Sequence, residues 1–392
     1  MSKIDELIQQ LCPDGIEWKT LNNISTNLDS KRKPVKGSDR QLGKYPYYGA
    51  SGIVDYVSEY IFDGDFLLIS EDGANLIARN TPIAFSISGK TWVNNHAHVL
   101  KFDNYSTRRL VEIYLNSIDL SKYISGASQP KLNKENLYKI PIPVPPLPIQ
   151  HEIVSILDQF AFLETELKAE LEARRTQYNY YRNQLLSFED KEVEWKTLGE
   201  IGQFIRGKRF VKDDIVAEGI PCIHYGEMYT HYHISASKTK SFLNSSLAAK
   251  LRVANTGDVI IVAAGETVED LGKGVAWLGE SDVVIHDACF AFKHKLYPKY
   301  VSHFLQTELF RSQIKRNVSS GKISAINASG LSKATIPIPP PAEQVRIAGI
   351  LDKFDALVND LSVGLPAEIA ARRKQYEYYR GRLLDFKCVS NG

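Results

Sequence analysis

The 392-residue chain has no excess of charge of either sign: 48 Lys plus Arg stand against 46 Asp plus Glu, a formal net charge of +2 at pH 7. No global positive field therefore marks a nucleic-acid partner. Cysteine is scarce. The four thiols, Cys12, Cys222, Cys289 and Cys388, lie far apart with no Cys-x-x-Cys spacing, which excludes a zinc cage or a dense disulfide framework as the organising principle. No apolar run reaches the ~18–20 residues of a membrane span. Met1–Leu11 mixes Lys3, Asp5 and Glu6 with apolar residues instead of following the secretory pattern, so a cytoplasmic protein is expected. At 43% hydrophobic and 24% charged residues wholesale disorder is excluded, and the length suits two or three domains.

Catalytic and cofactor motifs are missing as well. Gly89-Lys90-Thr91 resembles the end of a phosphate-binding loop, but the required glycine five residues upstream is Ala84, and Gly321-Lys322 is followed by Ile323 where Ser or Thr is needed. Glu269-Asp270 with Lys273 is misspaced for a nuclease carboxylate-lysine set. His231 and His233 have no evident third metal ligand, and His286-Asp287 has no companion Ser or Cys motif. The Asn-Pro-Pro-aromatic signature of amino-methyltransferases is absent too. The reading predicts no catalytic residue and no metal site.

What the chain does contain is a duplication. Ile142-Pro143-Val144-Pro145-Pro146, then Gln150, Ile156-Leu157-Asp158 and Phe160, recurs as Ile336-Pro337-Ile338-Pro339-Pro340, Gln344, Ile350-Leu351-Asp352 and Phe354, a constant shift of 194 residues. Ala173–Phe188 recurs as Ala371–Phe386 with 11 of 16 positions identical, including two Ala-Arg-Arg-x-Gln-Tyr-x-Tyr-Tyr-Arg tracts. Glu17-Trp18-Lys19-Thr20-Leu21 recurs as Glu194-Trp195-Lys196-Thr197-Leu198. Between these shared parts, residues 22–136 and 199–330 show little resemblance to each other. A chain that keeps its connectors alike and its variable segments different presents two different reading surfaces on one symmetric frame.

The shared parts read as long helices. Apolar residues at Ile153, Ile156, Phe160, Leu163 and Leu167, and again at Ile347, Ile350, Phe354, Leu357 and Leu361, step by 3 and 4 as a heptad seam does. The first helix is expected from about Gln150 to Phe188, with a stutter at Leu171; the second carries Gly364 and Pro366 and is expected to break near Val363. Two similar seams in one chain pair most simply with each other, antiparallel. The fold class is therefore α+β: two globular mixed α/β domains separated by two long helices forming an antiparallel coiled coil, with a pseudo-twofold internal repeat. The layout is an N-terminal segment (1–18), a first variable domain (19–140), a proline lead-in and helix (141–190), a second variable domain (191–335), a second lead-in and helix (336–386) and a tail (387–392).

Positive charge is local. Lys31, Arg32, Lys33, Lys36 and Arg40 against Asp39, the set Arg206, Lys208, Arg209 and Lys212, and the set Arg311, Lys315, Arg316 and Lys322 each carry +4, whereas Glu164–Glu172 carries −3. The cancellation hides basic variable domains behind an acidic stretch of helix.

The duplicated proline lead-ins, the Ile-Leu-Asp helix starts, the tyrosine-arginine tracts and the Glu-Trp-Lys-Thr-Leu openings together resemble the specificity subunit of type I restriction-modification enzymes, over essentially the whole chain. The resemblance implies two target-recognition domains, each reading one half of a bipartite double-stranded DNA sequence, with the helices setting the gap between half-sites and docking two methyltransferase subunits. It also implies that the chain is not itself an enzyme. S-adenosylmethionine would serve the methyltransferase subunits, and ATP and Mg the restriction subunits that join through them. Half-sites one duplex turn apart are separated by roughly 34 Å, within the span of helices of this length. The alternative is a stand-alone bivalent DNA-binding regulator.

Phosphate or base contact is assigned to Lys31, Arg32, Lys33, Arg206, Lys208 and Arg209, and base reading or loop shaping to Tyr47, Tyr48, Asn94, Asn95, His224 and Tyr225. A second set lies just before each proline tract: Ser128, Gln129 and Lys131, then Ser320 and Lys322. Helix pairing and subunit docking are assigned to Phe160, Leu163, Leu167, Tyr178, Tyr181, Phe354, Leu357, Leu361, Tyr376 and Tyr379.

Overall fold

The computed structural model describes residues 3–126, 128–188, 192–319, 321 and 323–387. The chain forms two compact units, Met1–Glu164 with Arg372–Gly392, and Thr165–Ala371. The division falls inside helices, so each unit joins one variable segment to the first part of one repeated helix and the last part of the other.

In the first unit a six-stranded sheet runs in the order Thr26–Asn27, Ala97–Lys101, Phe62–Ser70, Ala84–Val93, Leu42–Gly49, Gly52–Val57. Phe66-Leu67-Leu68-Ile69 is continuously apolar because its strand is central and covered on both faces. Alternation sends Leu67 and Ile69 to a core shared with Leu110, Ile149, Ile153 and Leu157, and Phe66 and Leu68 to a smaller one with Phe62, Ile87 and Val99. In the second unit the strands Gly202–Arg206, Cys289–His294, Val259–Val262, Gly274–Trp277 and Ser235–Ala236 form one sheet, and Ile215–Val216, Ser241–Leu243, Ile220–Ile223, Val283–Ile285 and Val253–Ala254 a second.

The two variable segments, unlike in sequence, share a backbone register. Leu67, Leu68, Ile69 and Ser70 face Leu100, Val99, His98 and Ala97; Val259, Ile260, Ile261 and Val262 face Phe292, Ala291, Phe290 and Cys289, every partner shifted by 192 residues. The parallel pairs Tyr47–Trp92 and Tyr48–Val93 likewise correspond to Cys222–Val284 and Ile223–Ile285.

The repeated motifs carry repeated bonds. Trp18–Thr20 pairs antiparallel with Pro141–Pro143, and Glu194–Thr197 with Thr335–Ile338, which places Trp18 opposite Pro143 and Trp195 opposite Pro337. The buried Gln150 amide donates to the Pro145 carbonyl (2.6 Å), as Gln344 does to Pro339 (2.8 Å). Without those amides the proline carbonyls, which lie outside any ladder, would be buried unpaired. Asp158 accepts from Tyr105 (2.6 Å) and Arg109 (2.7 Å) on the helix Tyr105–Ser117, while Asp352 accepts from Lys299 (2.8 Å) and faces His303 (3.0 Å) on the helix Pro298–Phe304.

The first long helix spans Leu147–Ser187, starting directly after Pro146 with Pro148 in its first turn, where a missing N–H is harmless. The second copy is broken as expected into Pro341–Asn359 and Leu365–Leu383. The Asp360 carboxylate accepts from the Ser362 N–H, and a Cβ at Gly364 would lie 2.4 Å from the Ala356 carbonyl oxygen. Only glycine lets the chain turn back so tightly there.

Phe160 stacks on Tyr379 (5.5 Å, 25°) in the first unit, and Phe354 on Tyr181 (5.6 Å, 28°) in the second. These are the same contact in the duplication. The start of each repeated helix meets the end of the other, so the two seams pair antiparallel. Tyr178, 3% exposed, stacks on Phe354 and places its hydroxyl 3.3 Å from His303. Tyr376 and Leu167 are half-buried, and Leu163 and Leu357 more than a third exposed. Leu361 is a correction: the break at Asn359 removes it from the seam and leaves it 81% exposed.

Candidate nucleic-acid interface

In the first unit the turn Asp29–Lys31 follows directly on the edge strand, and its carboxylate ties it down. Asp29 accepts the Val99 N–H (2.8 Å) and faces His98 Nδ1 (2.7 Å). Burial works to raise the Asp29 carboxyl, but the hydrogen bond and charge of His98, with the Val99 N–H, outweigh it and hold it below its usual value. Glu71 is also lowered: burial opposes, and Arg32, His98 and Lys131 prevail. Arg32 donates to Glu71 (2.6 Å) and to the carbonyls of Ala97 (2.8 Å) and Asn95 (3.4 Å). Asp29, Glu71 and His98 lie close enough together to suggest a cation site. The positive charge that meets these carboxylates is already supplied by the guanidinium of Arg32.

Three expected DNA contacts are corrected by burial, Arg32, Tyr47 and Asn94; Asn94 is 6% exposed and its Oδ1 accepts the His96 N–H (2.8 Å), so it shapes the loop. Arg32 is 13% exposed and belongs to an internal ion network: where the three paired strands end, its guanidinium reaches Glu71 and the Ala97 carbonyl together. Tyr47 is 1% exposed, with its hydroxyl accepting the Val35 N–H (3.0 Å) and its ring under the Arg40 guanidinium (4.4 Å). Tyr48 is half-buried against Phe85, and its carbonyl accepts the Asn94 N–H. Lys31, Lys33, Asn95, Ser128 and Gln129 are exposed. Lys131 is half exposed and 3.3 Å from Glu71. Arg32, the segment 96–98 and Lys131–Leu132, separate in sequence, thus converge on Glu71.

The second unit repeats this convergence with different side chains. Glu71 N–H to His96 C=O becomes Ala263 N–H to Ala288 C=O, Leu132 N–H to Glu71 C=O becomes Ile326 N–H to Ala263 C=O, and the reciprocal pair Ser125–Lys131 becomes Ser319–Ala325. The network residues His98 and Glu71 correspond to Phe290 and Ala263, so apolar packing replaces the ions. Gly207 reaches within a Cβ's breadth of the His286 carbonyl, closer than any other residue could approach.

Arg206 and Arg209 are exposed and, with Lys212, His224, Tyr225 and His286, line a cleft of about 850 Å³. Ring centroids of Phe210, His224, Tyr225 and His286 lie 4.6–5.9 Å apart across contacting pairs. Burial is the largest influence on His224 and His286 and lowers both imidazoles, so they act as neutral aromatic and hydrogen-bonding surfaces. Lys208 is exposed and donates to the Lys250 carbonyl (2.9 Å). Ser320 and Lys322 lie outside the described residues. Asp29, Glu71 and Phe210 carry no signal in the sequence; only the exposed basic residues beside them do.

Among the described residues no helix is long and apolar enough to cross a membrane. A family model of the type I restriction modification DNA specificity domain matches residues 13–173 and 190–371. A Haemophilus influenzae type I restriction enzyme specificity subunit is 35% identical over 390 residues, covering 95% of this chain and 96% of its own. The EcoR124I/EcoR124II specificity subunit of Escherichia coli is 36% identical over 315 residues, 74% of each chain. The type I restriction-modification S subunit of M. genitalium has the same fold, with a TM-score of 0.57 at 14% identity over 94% of this chain and 96% of that one. A chain from the type I R-M system, in a structure addressing complex assembly and conformational transition, has a TM-score of 0.59 at 15% identity, covering 94% and 97%. With both of its duplicated halves matched, the chain belongs to the type I restriction-modification DNA specificity family.

Proposed function

We propose that each unit reads one half of a bipartite double-stranded DNA target through the loops gathered at its interface. The observation that carries this is the set of register-matched hydrogen bonds holding one loop framework in both units while the side chains on it differ. Reading two unlike half-sites requires this combination of a constant backbone and variable tips. Lys31, Lys33, Lys131, Arg206, Lys208 and Arg209 then clamp phosphates, with Tyr48, Asn95, Ser128, Gln129, His224 and Tyr225 near base edges.

In this reading the chain is a non-catalytic subunit. The paired helices set the half-site spacing and dock two methyltransferase subunits, through which restriction subunits join. S-adenosylmethionine, ATP and Mg belong to those partners, consistent with the missing nucleotide and methyltransferase motifs. The test is co-expression with the methyltransferase subunits of its own system, purification of the complex and mapping of methylated adenines in the host genome. A stable complex that methylates one two-part motif is the expected result. Tight site-specific binding by the chain alone, with no complex formed, would instead support a stand-alone regulator.

A further inference from the structure

We propose that Asn95 and Asp287 are the specificity-determining side chains of the two units, Asn95 reading an adenine and Asp287 a cytosine; this rests on the DNA-recognition reading above. The two residues hold the same place in the shared register, between Val93 and Ala97 in one unit and between Ile285 and Cys289 in the other.

Their turns are fixed in the same way. The preceding side chain is buried and accepts the amide two residues on: Asn94 Oδ1 from the His96 N–H (2.8 Å), His286 Nδ1 from the Ala288 N–H (3.1 Å). An arginine then holds the tip carbonyl, Arg32 on Asn95 (3.4 Å) and Arg206 on Asp287 (2.9 Å). The two arginines do not correspond in register. Arg206 is the strand residue opposite Phe290, whereas Arg32 lies beyond the end of its strand, at the close of the following turn. Unlike sequence solutions that immobilise the same carbonyl show that the position of this turn matters in both units.

The framework grips backbone and neighbours, leaving the side chain at the tip as what differs. Asn95 is exposed, and Asp287 is 38% exposed with Oδ1 3.0 Å from His286 Nδ1. An amide offers one donor and one acceptor, the pattern that matches the N6 and N7 edge of adenine. A carboxylate offers acceptors only and suits the N4 amine of cytosine. Asp287 sits in a cleft rimmed by Arg206, Arg209 and Lys212. Glu266 lines the same cleft; acids there repel phosphate, so the place of Asp287 at the tip fits a base amine.

The experiment is reciprocal and isosteric. Asn95→Asp and Asp287→Asn are each made in the full chain, co-expressed with the methyltransferase subunits, and the methylated motif is mapped. Neither change touches the carbonyl that the framework holds. Each is expected to alter one base pair, in different half-sites, from adenine to cytosine for Asn95→Asp and from cytosine to adenine for Asp287→Asn. The preference change should be about 5- to 150-fold, the range of one bidentate contact. Asn94→Ala, by contrast, should lower methylation at every site and leave the motif unchanged. An unchanged motif in both tip variants, or changes spread over both half-sites, overturns the proposal while leaving the recognition reading intact. A wild-type complex with no two-part motif overturns that reading itself.

Discussion

At the residue scale, charged side chains that look alike in sequence have opposite roles. Lys31, Arg32 and Lys33 are consecutive, yet the lysines are exposed and the arginine joins the Glu71 network. Arg32→Ala leaves Glu71 with Lys131 and His98 alone and is expected to destabilise the protein by about 1–3 kcal/mol, seen as a lower melting temperature. Lys31→Ala with Lys33→Ala should change stability by about 0.5 kcal/mol or less. It should reduce the slope of log affinity for DNA against log salt by roughly 0.9 per lost phosphate contact; an unchanged slope would remove these lysines from the interface. The same network predicts acid sensitivity. Asp29 and Glu71 lie below their usual values of 3.8 and 4.5, so their stabilisation is complete above those values and is lost as pH falls through the lowered ones. Melting curves should be flat in this contribution from neutral pH to about pH 5 and fall below it. Glu71→Gln should be less stable at neutral pH and lose less on acidification. None of this was legible in the chain, because residues 29, 71 and 98 carry no common spacing and meet only when three strands align.

At the element scale, the helices were largely legible and their ends were not. Heptad spacing and identity across 11 of 16 positions located the seam, but Leu147 as the helix start and Leu361 outside the seam follow from local backbone geometry. Two glycines of the second helical stretch separate these effects. Gly364→Ala drives a Cβ to 2.4 Å from a carbonyl oxygen and should destabilise by about 1–3 kcal/mol. Gly349 lies within the helix Pro341–Asn359 with nothing within 4 Å of the position a Cβ would take, so Gly349→Ala should stabilise by about 1 kcal/mol. Chemical denaturation of both variants checks the contrast; equal effects would mean that the break at Asn359 does not depend on glycine.

At the scale of the whole molecule, the duplication is written twice, once in residues and once in backbone bonds. If the paired helices set the distance between half-sites, lengthening both by one heptad, about 10 Å, should lengthen the unspecified spacer by about three base pairs and leave both half-sites as they were. A methylation map with altered half-sites would contradict that division of labour. The sequence by itself determined the family, the repeat, the antiparallel helix pair and the break, because each depends on local spacing or on identical residues. It also showed that basic clusters lie in the variable segments. Only the tertiary structure decided that residues 22–136 and 199–330 share one loop framework, and which of their charged and aromatic side chains face outward. The physical reason is that the framework is held by backbone N–H and C=O groups, which every residue supplies. Ions can fill the interior of one copy and apolar groups that of the other without leaving a mark that the chain alone could show.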